Sequence, residues 1–412
     1  MGYSSSTLWQ TGRMPTVLTV NGGSSSIRFA FYDACDAATK LFDGKIDRIG
    51  SSTSTLTVHE YGPGVRAQPQ SGRQISLNAA DHRAAAASLM DWLASLPLFK
   101  AIGAVGHRVV HGMQHSNPER VTPQLIMELK RITAYDPEHL PREIELIEAV
   151  ERVRPGLPQV ACFDTAFHRT MPRLATLLAI PRRYEAKGVQ RYGFHGLSYT
   201  YLLAELGRLG DPAAARGRVI LAHLGNGASL AAVRDGKCVD TSMGFTPAAG
   251  LMMSTRSGDL DPGIMSFLAV TESMDAAAYQ KMVTHESGLL GVSETSSDIR
   301  DLLGRESTDV RAAEAVGLFC YLVKKWIGSF AAALGGVDTV VFAGGIGENA
   351  PPIRARVCQG LEFLGLELND AQNAGNAALI SSDQSSVAVR VIRTDEETVI
   401  ASSTIRLLDL ST

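Results

Sequence analysis

Thr16-Val17-Leu18-Thr19-Val20-Asn21-Gly22-Gly23-Ser24-Ser25-Ser26-Ile27-Arg28-Phe29-Ala30-Phe31-Tyr32 is the stretch on which the reading of this chain turns. An apolar run stops at a polar glycine-serine turn, and a second apolar run follows at once, the pattern of a β-hairpin. The pattern returns further along as Val219-Ile220-Leu221-Ala222-His223, then Gly225-Asn226-Gly227-Ala228-Ser229, then Leu230-Ala231-Ala232-Val233. Two copies of one supersecondary unit, separated by roughly half the chain, point to two related domains. A length of 412 residues agrees, being long for a single core.

Between and beyond the copies, strands alternate with helices. Ala101 to Val110 and Gln159 to Phe163 read as buried strands, and Ile144, Ile147 and Val150 after Pro141 read as one face of a helix. Val316, Phe319, Cys320, Val323, Ile327, Phe330 and Leu334 mark a long helix that Gly335-Gly336 should end. The strand Thr339 to Ala343 enters the turn Gly344-Gly345-Ile346-Gly347-Glu348-Asn349. Pro351-Pro352 then open a helix with apolar positions at Ile353, Val357, Leu361 and Leu364. The order is that of an α/β protein.

Three glycine-rich turns each follow an apolar strand. Glycine lets backbone N–H groups approach a ligand closely, so such turns commonly wrap phosphate. None is followed by Gly-Lys-Ser/Thr, and none fits GxGxxG with an acidic residue at the right distance, so neither the P-loop nor the dinucleotide fingerprint is present. Phosphoryl transfer also needs cations on the migrating group and oxygen ligands for a metal. Candidates sit where strands end: Arg108 in Gly106-His107-Arg108-Val109-Val110-His111-Gly112, Arg256 in Ser254-Thr255-Arg256-Ser257-Gly258-Asp259, Asp164 after Phe163, and Glu396 and Glu397 after Val391-Ile392. Taken singly, each such charge is more often a solvated surface group. His195, flanked by Gly193 and Gly196, is placed for a ligand. His107, His111 and His115 recur at a spacing that would chelate zinc on a helix, but Val109-Val110 and the glycines make this stretch strand and turn.

Composition narrows the class. The chain is 45% hydrophobic and 20% charged with a net charge of -3, which gives no electrostatic reason to expect nucleic acid or an anionic membrane as partner. Its five cysteines, Cys35, Cys162, Cys238, Cys320 and Cys358, form no CxxC pair and read as small core hydrophobes in a reducing cytoplasm. No uninterrupted apolar stretch approaches the ~20 residues that span a bilayer. The first 14 residues read as a loose extension without targeting character.

Taken together, NGGSSSIRF (21–29), GHRVVHG (106–112), FDTAFH (163–168), YGFHGLS (192–198), HLGNGAS (223–229), DTSMGFTP (240–247) with TRSGDLDPG (255–263), GGIGEN (344–349) and TDEE (394–397) resemble the acetate kinase family, within the acetate and sugar kinase/actin superfamily. The resemblance runs from about Val17 to Arg406, with the motifs in the family's order. It implies two duplicated, ribonuclease H-like domains with an interdomain nucleotide cleft. The N-terminal domain would be 15–164 plus 394–412, on the acyl substrate and metal side; the C-terminal domain would be 165–393, on the nucleotide side. Cleft closure would exclude water from the acyl phosphate.

The resemblance also implies roles. Asn21 and Glu396 would hold magnesium, with manganese as a substitute. Arg28 stands where the family usually has a lysine near the nucleotide phosphates. Arg108 would grip the substrate carboxylate or acyl phosphate, with Val110, Phe194 and Pro247 as walls of the acyl pocket. Asp164, His195 and Arg256 would be catalytic, the last two on the transferring phosphoryl. His223, Leu224, Gly225, Asn226 and Gly227, with Asp298, Ile299 and Arg300, and Gly344, Gly345, Ile346, Gly347 and Glu348, match nucleotide-binding stretches. The implied activity is reversible, in-line transfer between ATP and acetate, giving acetyl phosphate and ADP, in a cytoplasmic homodimer. The alternatives are a propionate or butyrate kinase of the same family and a non-catalytic nucleotide-binding module. Two departures bear on the acid: Glu138 replaces a leucine of the acyl wall, and Ala248-Ala249 replace bulkier residues after Pro247, which would widen the pocket.

Overall fold

A computed structural model describes residues 16–23, 26–36, 39–50, 54–61, 69–77 and 79–410. The expected N-terminal extension, and Ser24 and Ser25 of the first glycine-serine turn, lie outside the described residues. The chain divides into two compact units, one running to Ala166 and completed from Asp395 onward, the other Phe167–Thr394.

In the first unit, β1 (Thr16–Gly22) and β2 (Ile27–Asp33) pair antiparallel, with Asn21 opposite Arg28. The antiparallel run continues through β3 (Lys40–Asp47), β4 (Thr55–Tyr61) and β5 (Pro69–Ser76). On its other side β1 pairs parallel with β6 (Ile102–Val109), and β6 pairs parallel with β8 (Gln159–Phe163). The two-residue β7 (Glu119–Arg120) closes the edge, giving the order β5-β4-β3-β2-β1-β6-β8-β7. All seven residues of β1 are buried, as a central strand covered on both faces requires. One face packs on the helices His82–Ala94 and Leu140–Val153, through Leu18, Val20, Phe29, Phe31, Leu89, Leu93, Leu146 and Val150. The helix Glu396–Leu408 packs on β1, β6 and β8.

The second unit repeats the core of this plan. β9 (Arg218–Leu224), β10 (Ala228–Arg234) and β11 (Lys237–Thr241) form the antiparallel part, while β12 (Thr339–Ala343) and β13 (Ala388–Val391) add in parallel, in the order β11-β10-β9-β12-β13. This matches β3-β2-β1-β6-β8 strand for strand, so the repeated hairpin of the sequence is the seed of a repeated sheet. The first unit extends the common core by β7 at one edge and by β4 and β5 at the other; apolar runs alone do not announce β4 and β5, since His59, Glu60, Arg73 and Gln74 interrupt them.

Several local readings need adjusting. Gly344–Asn349 is a short helix continuing straight from β12, not a turn. The helix after Pro351 ends at Cys358, so Leu361 stands outside it and Leu364 ends a separate 3-10 turn, Glu362–Leu364. The long helix is Val310–Leu334, capped by Gly335 in the left-handed region at φ 71°. It is long and apolar enough to cross a membrane by those measures alone. Its stripe from Ala312 to Leu334 is nevertheless buried, against β9 and β10 among others. Of the cysteines, Cys162, Cys238, Cys320 and Cys358 are buried as expected, but Cys35 is exposed.

Gly106, in β6, lets the C-terminal helix come close. A Cβ there would lie 2.3 Å from Thr404 Oγ1 and 2.5 Å from Ile400 Cγ2. Gly106→Ala is therefore expected to lower stability by about 1–3 kcal/mol through overpacking, read as a lower urea midpoint; an unchanged midpoint would show that the helix can move aside freely.

Candidate active site

In the first unit, parallel register carries three side chains to the same end of the sheet. Val20 pairs with His107, Arg108 with Cys162 and Val109 with Phe163, so Asn21, Arg108 and Asp164 all stand where β1, β6 and β8 finish. Arg108 donates from Nε and Nη2 to Asp164 Oδ2 at 3.0 and 2.5 Å. Its Nη1 reaches the Gly22 carbonyl at 3.3 Å and Asn21 Oδ1 at 3.5 Å. Asn21 Nδ2 in turn donates to Glu396 Oε2 at 2.9 Å and to Glu397 Oε1 at 3.4 Å. Burial opposes the charge on Arg108, but Asp164, Glu396 and Glu143 outweigh it and hold the guanidinium well above its ordinary range.

The helix bearing Glu396 is fixed at its start. Asp395 caps it by accepting from Thr398 N, and is itself held by Lys40 Nζ at 3.1 Å and Tyr32 O–H at 3.3 Å. Thus Asn21, Arg108, Asp164 and Glu396 form one hydrogen-bonded chain. Arg28 lies across the hairpin from Asn21 and is exposed; its charge favours ionised Glu397, whose carboxyl burial pushes up.

Val110 is reached through a residue that motif reading passes over. Glu143, in the first turn of the helix Leu140–Val153, is 2% exposed and accepts the Val110 backbone N–H on Oε2 at 2.8 Å. Its Oε1 is buried without a hydrogen-bond partner. Burial, with Asp136 and Asp164 adding to it against Arg108, raises this carboxyl to about 8. The signal was present: Leu140, Glu143, Ile147 and Val150 share the helix's buried stripe, so a glutamate occupies a core position. Glu138, the residue the acyl-wall comparison singles out, is only half-buried.

In the second unit, His195 sits in the left-handed region at φ 60° just before the helix Gly196–Arg208. Its Nδ1 meets Ser229 Oγ at 2.8 Å, and its ring stacks on His223 with centroids 4.3 Å apart. His223 Nδ1 meets Ser198 Oγ at 2.8 Å, so hydroxyls fix both imidazoles from the same ring position. Gly227 lies in the turn between β9 and β10. A Cβ on it would stand 3.2 Å from His195 Nε2 and 3.7 Å from Arg256 Nη1. Arg256 Nη1 also donates to the Pro247 carbonyl at 3.2 Å, and Asn226 accepts from Ser254 N at 3.1 Å.

Gly344, at φ 75°, lies so close to Leu224 that a Cβ would come 2.7 Å from its carbonyl oxygen. Glu348 Oε1 accepts from Gly344 N at 3.0 Å and from Thr394 N at 3.1 Å, tying the ends of β12 and β13 together. The structure therefore gathers His195, Pro247, Arg256, His223–Gly227 and Gly344–Glu348 of the expected residues. Phe194 is buried, its carbonyl accepting from His168 Nε2 at 2.9 Å. Asp298 and Arg300 pair with each other around the start of the helix Ile299–Arg305. His107, His111 and His115 separate as strand and turn require: His107 meets Gln159, His115 stacks on Phe163, and among the described residues no three His, Cys, Asp or Glu side chains are grouped for a metal. One carboxylate and one amide oxygen, as Glu396 and Asn21 offer, suit magnesium, which keeps waters and takes phosphate oxygens rather than a full protein cage.

The chain is similar to known proteins over nearly its whole length. Residues 16–402 match the model of the Acetokinase family. An acetate kinase of Rhodopseudomonas palustris is 42% identical over 401 residues, covering 95% of this chain and 98% of that protein. A propionate kinase of Citrobacter rodentium is 42% identical over 398 residues, covering 95% and 96%. The crystal structure of Porphyromonas gingivalis acetate kinase superposes with a TM-score of 0.84 at 37% identity, over 96% of this chain and 100% of that one.

The buried Glu143 makes stability depend on pH. Its carboxyl is that of an ordinary glutamate in the unfolded chain and titrates near 8 in the folded one, so its contribution is full below the unfolded value and is lost as pH rises through about 8. Between about pH 6 and about pH 9 the wild type should lose more unfolding free energy than Glu143→Gln; equal losses by urea titration would show that the site does not hold that proton.

Proposed function

Since the chain belongs to the Acetokinase family, we propose that it catalyses reversible, magnesium-dependent phosphoryl transfer between ATP and acetate, giving acetyl phosphate and ADP. It is a phosphotransferase with a carboxyl group as acceptor. The observation that carries the reading to this chain is the Gly227 turn, where bare backbone stands against His195 Nε2 and Arg256 Nη1. A side chain there would fill the space that a phosphate oxygen needs between an imidazole and a guanidinium.

The nucleophile is a carboxylate oxygen and already anionic, so the barrier is chiefly the approach of two anions. Arg108 takes the substrate carboxylate, its guanidinium oriented by Asp164, which acts through that ion pair rather than as a proton acceptor. His195 and Arg256 bear on the transferring phosphoryl, Ser229 holding the imidazole by its other nitrogen. Magnesium, when bound, neutralises and bridges the phosphates, and Asn21 and Glu396 are the residues that would hold it. The glycine backbones of 225–227 and 344–347 line the nucleotide phosphates, with Arg28 as a further cation; Asp298–Arg300 take the rest of the nucleotide. The first unit is on this reading the acyl and metal side, the second the nucleotide side. ATP as co-substrate and five thiols outside any disulfide support a cytoplasmic location.

An acyl-hydroxamate assay with ATP, magnesium and acetate is expected to give product, and Arg256→Ala to lower kcat by about 10²–10³. No product at any protein concentration would favour a nucleotide-binding module, and near-normal turnover of Arg256→Ala would remove its assigned role. Acetate should exceed propionate and butyrate in kcat/KM.

We further infer a homodimer. The helix Gly263–Thr271 is apolar in sequence yet has no buried residue, with Phe267 64% and Val270 85% exposed. Such a face calls for a covering surface, and a second copy of this chain would supply one. Phe267→Asp with Val270→Asp is expected to halve the mass seen by analytical ultracentrifugation; an unchanged mass would place the interface elsewhere.

A further inference from the structure

β6 ends at Val109, and with it the ladder to β8, whose last register pair is Val109 with Phe163. The next N–H, that of Val110, is buried and has left the sheet. An unpaired buried donor costs about 1–3 kcal/mol, so something must satisfy it. The partner is a side chain from another element, Glu143 Oε2 at 2.8 Å. This is an unusual choice. Leucine or isoleucine would suit the buried stripe of the helix Leu140–Val153, and the carboxyl that replaces them leaves Oε1 buried without a partner.

The bond fixes a direction. Val110 follows, by two residues, the arginine that takes the substrate carboxylate, so the path of the chain at 110 sets how far the Val110 side chain stands from the acid held by Arg108. Arg108 is itself pinned to Asp164 and Gly22, while Val110 is held from the side by Glu143. Glu143 also lies against the strand end that carries Asn21, its Cγ standing 3.8 Å from a Cβ built on Gly22.

We propose that Glu143 is a positioning residue that sets the acyl wall at Val110, and through it the chain length of the acid accepted. The proposal rests on the reading of Val110 as a wall of the acyl pocket. On this reading Glu143 acts on the acid indirectly, through the Val110 backbone N–H it holds and its electrostatic influence on Arg108.

The test compares wild type, Glu143→Gln, Glu143→Leu and Val110→Ala, with kcat and KM for acetate, propionate and butyrate and KM for ATP. A methylene in an apolar pocket discriminates by about 10–200-fold. Glu143→Leu is therefore expected to change the propionate-to-acetate ratio of kcat/KM by at least about fivefold, chiefly through KM for the acid, with KM for ATP unchanged. Glu143→Gln, whose amide oxygen still accepts from Val110, should restore the wild-type ratio. Val110→Ala should shift the ratio as Glu143→Leu does. If Val110→Ala shifts it and Glu143→Leu does not, the positioning role is overturned while the acyl-pocket reading stands. If Val110→Ala leaves it unmoved, the wall assignment itself fails and the inference with it. Should Glu143→Leu not fold, Glu143→Asp, one methylene short of Val110, carries the same expectation, and an unshifted ratio in it overturns the proposal.

Discussion

Parallel pairing of β1 with β6 and of β6 with β8 is the constraint on which the first unit's chemistry depends. Parallel strands finish at the same edge, and in open α/β sheets ligands gather outside that carboxyl edge. Here the edge collects an amide, a guanidinium and a carboxylate from three separate stretches of chain. β9, β12 and β13 repeat the arrangement in the second unit, bringing His223, the glycines after Ala343 and Thr394 to one edge. In each unit the antiparallel hairpin comes first and the parallel strands add on one side of it.

Electrostatics then separates charges that are held from charges that are free to act. Arg108 is mostly buried and would be unstable there alone, since a buried charge needs a hydrogen-bonded partner. Asp164, fully buried, supplies two of its bonds and leaves the guanidinium aimed by geometry rather than by rotamer choice. Lys40, Tyr32 and Asp395 do the same for the start of the Glu396 helix. In the second unit, neutral hydroxyls of Ser229 and Ser198 orient the imidazoles instead, which leaves His195 able to meet negative charge without an anionic neighbour pulling on its Nδ1.

Much of this was legible in the sequence, because the strands are short apolar runs and the motifs sit at their ends. The two hairpins, Gln159–Phe163, Thr339–Ala343 and the long capped helix all announce themselves by period and punctuation. β3 to β5 do not: Lys40, Asp43, Lys45 and Asp47 break up the apolar run of β3, as His59, Glu60, Arg73 and Gln74 do in β4 and β5. Neither does the helix Gly344–Asn349, whose glycines read as turn; Gly344 packs its backbone closely on Leu224. Asp298 and Arg300 were grouped with the nucleotide stretches by motif; in the structure Asp298 caps a short helix and pairs with Arg300. Glu143 escaped because a helical stripe is read by its apolar members, and the one polar member in register with them looks like noise.

Arg354 shows why that polar member is not noise. It too is a buried ionisable group, its pKa lowered to about 10 by burial, yet every donor is engaged: Nε on Asn373, Nη1 on the carbonyls of Gly347 and Glu348, Nη2 on Asn373 and Asn376. A fully satisfied group of this kind rigidifies its surroundings, here the helix Gly344–Asn349. Glu143 is satisfied on one oxygen only. A half-satisfied buried carboxyl is less stable than a leucine in the same place, so stability alone does not account for it. What it adds is a hold on one N–H where a strand has just ended, two residues after Arg108. Where a sequence departs from the local rule for a core position, the departure is best explained by what the misplaced group holds.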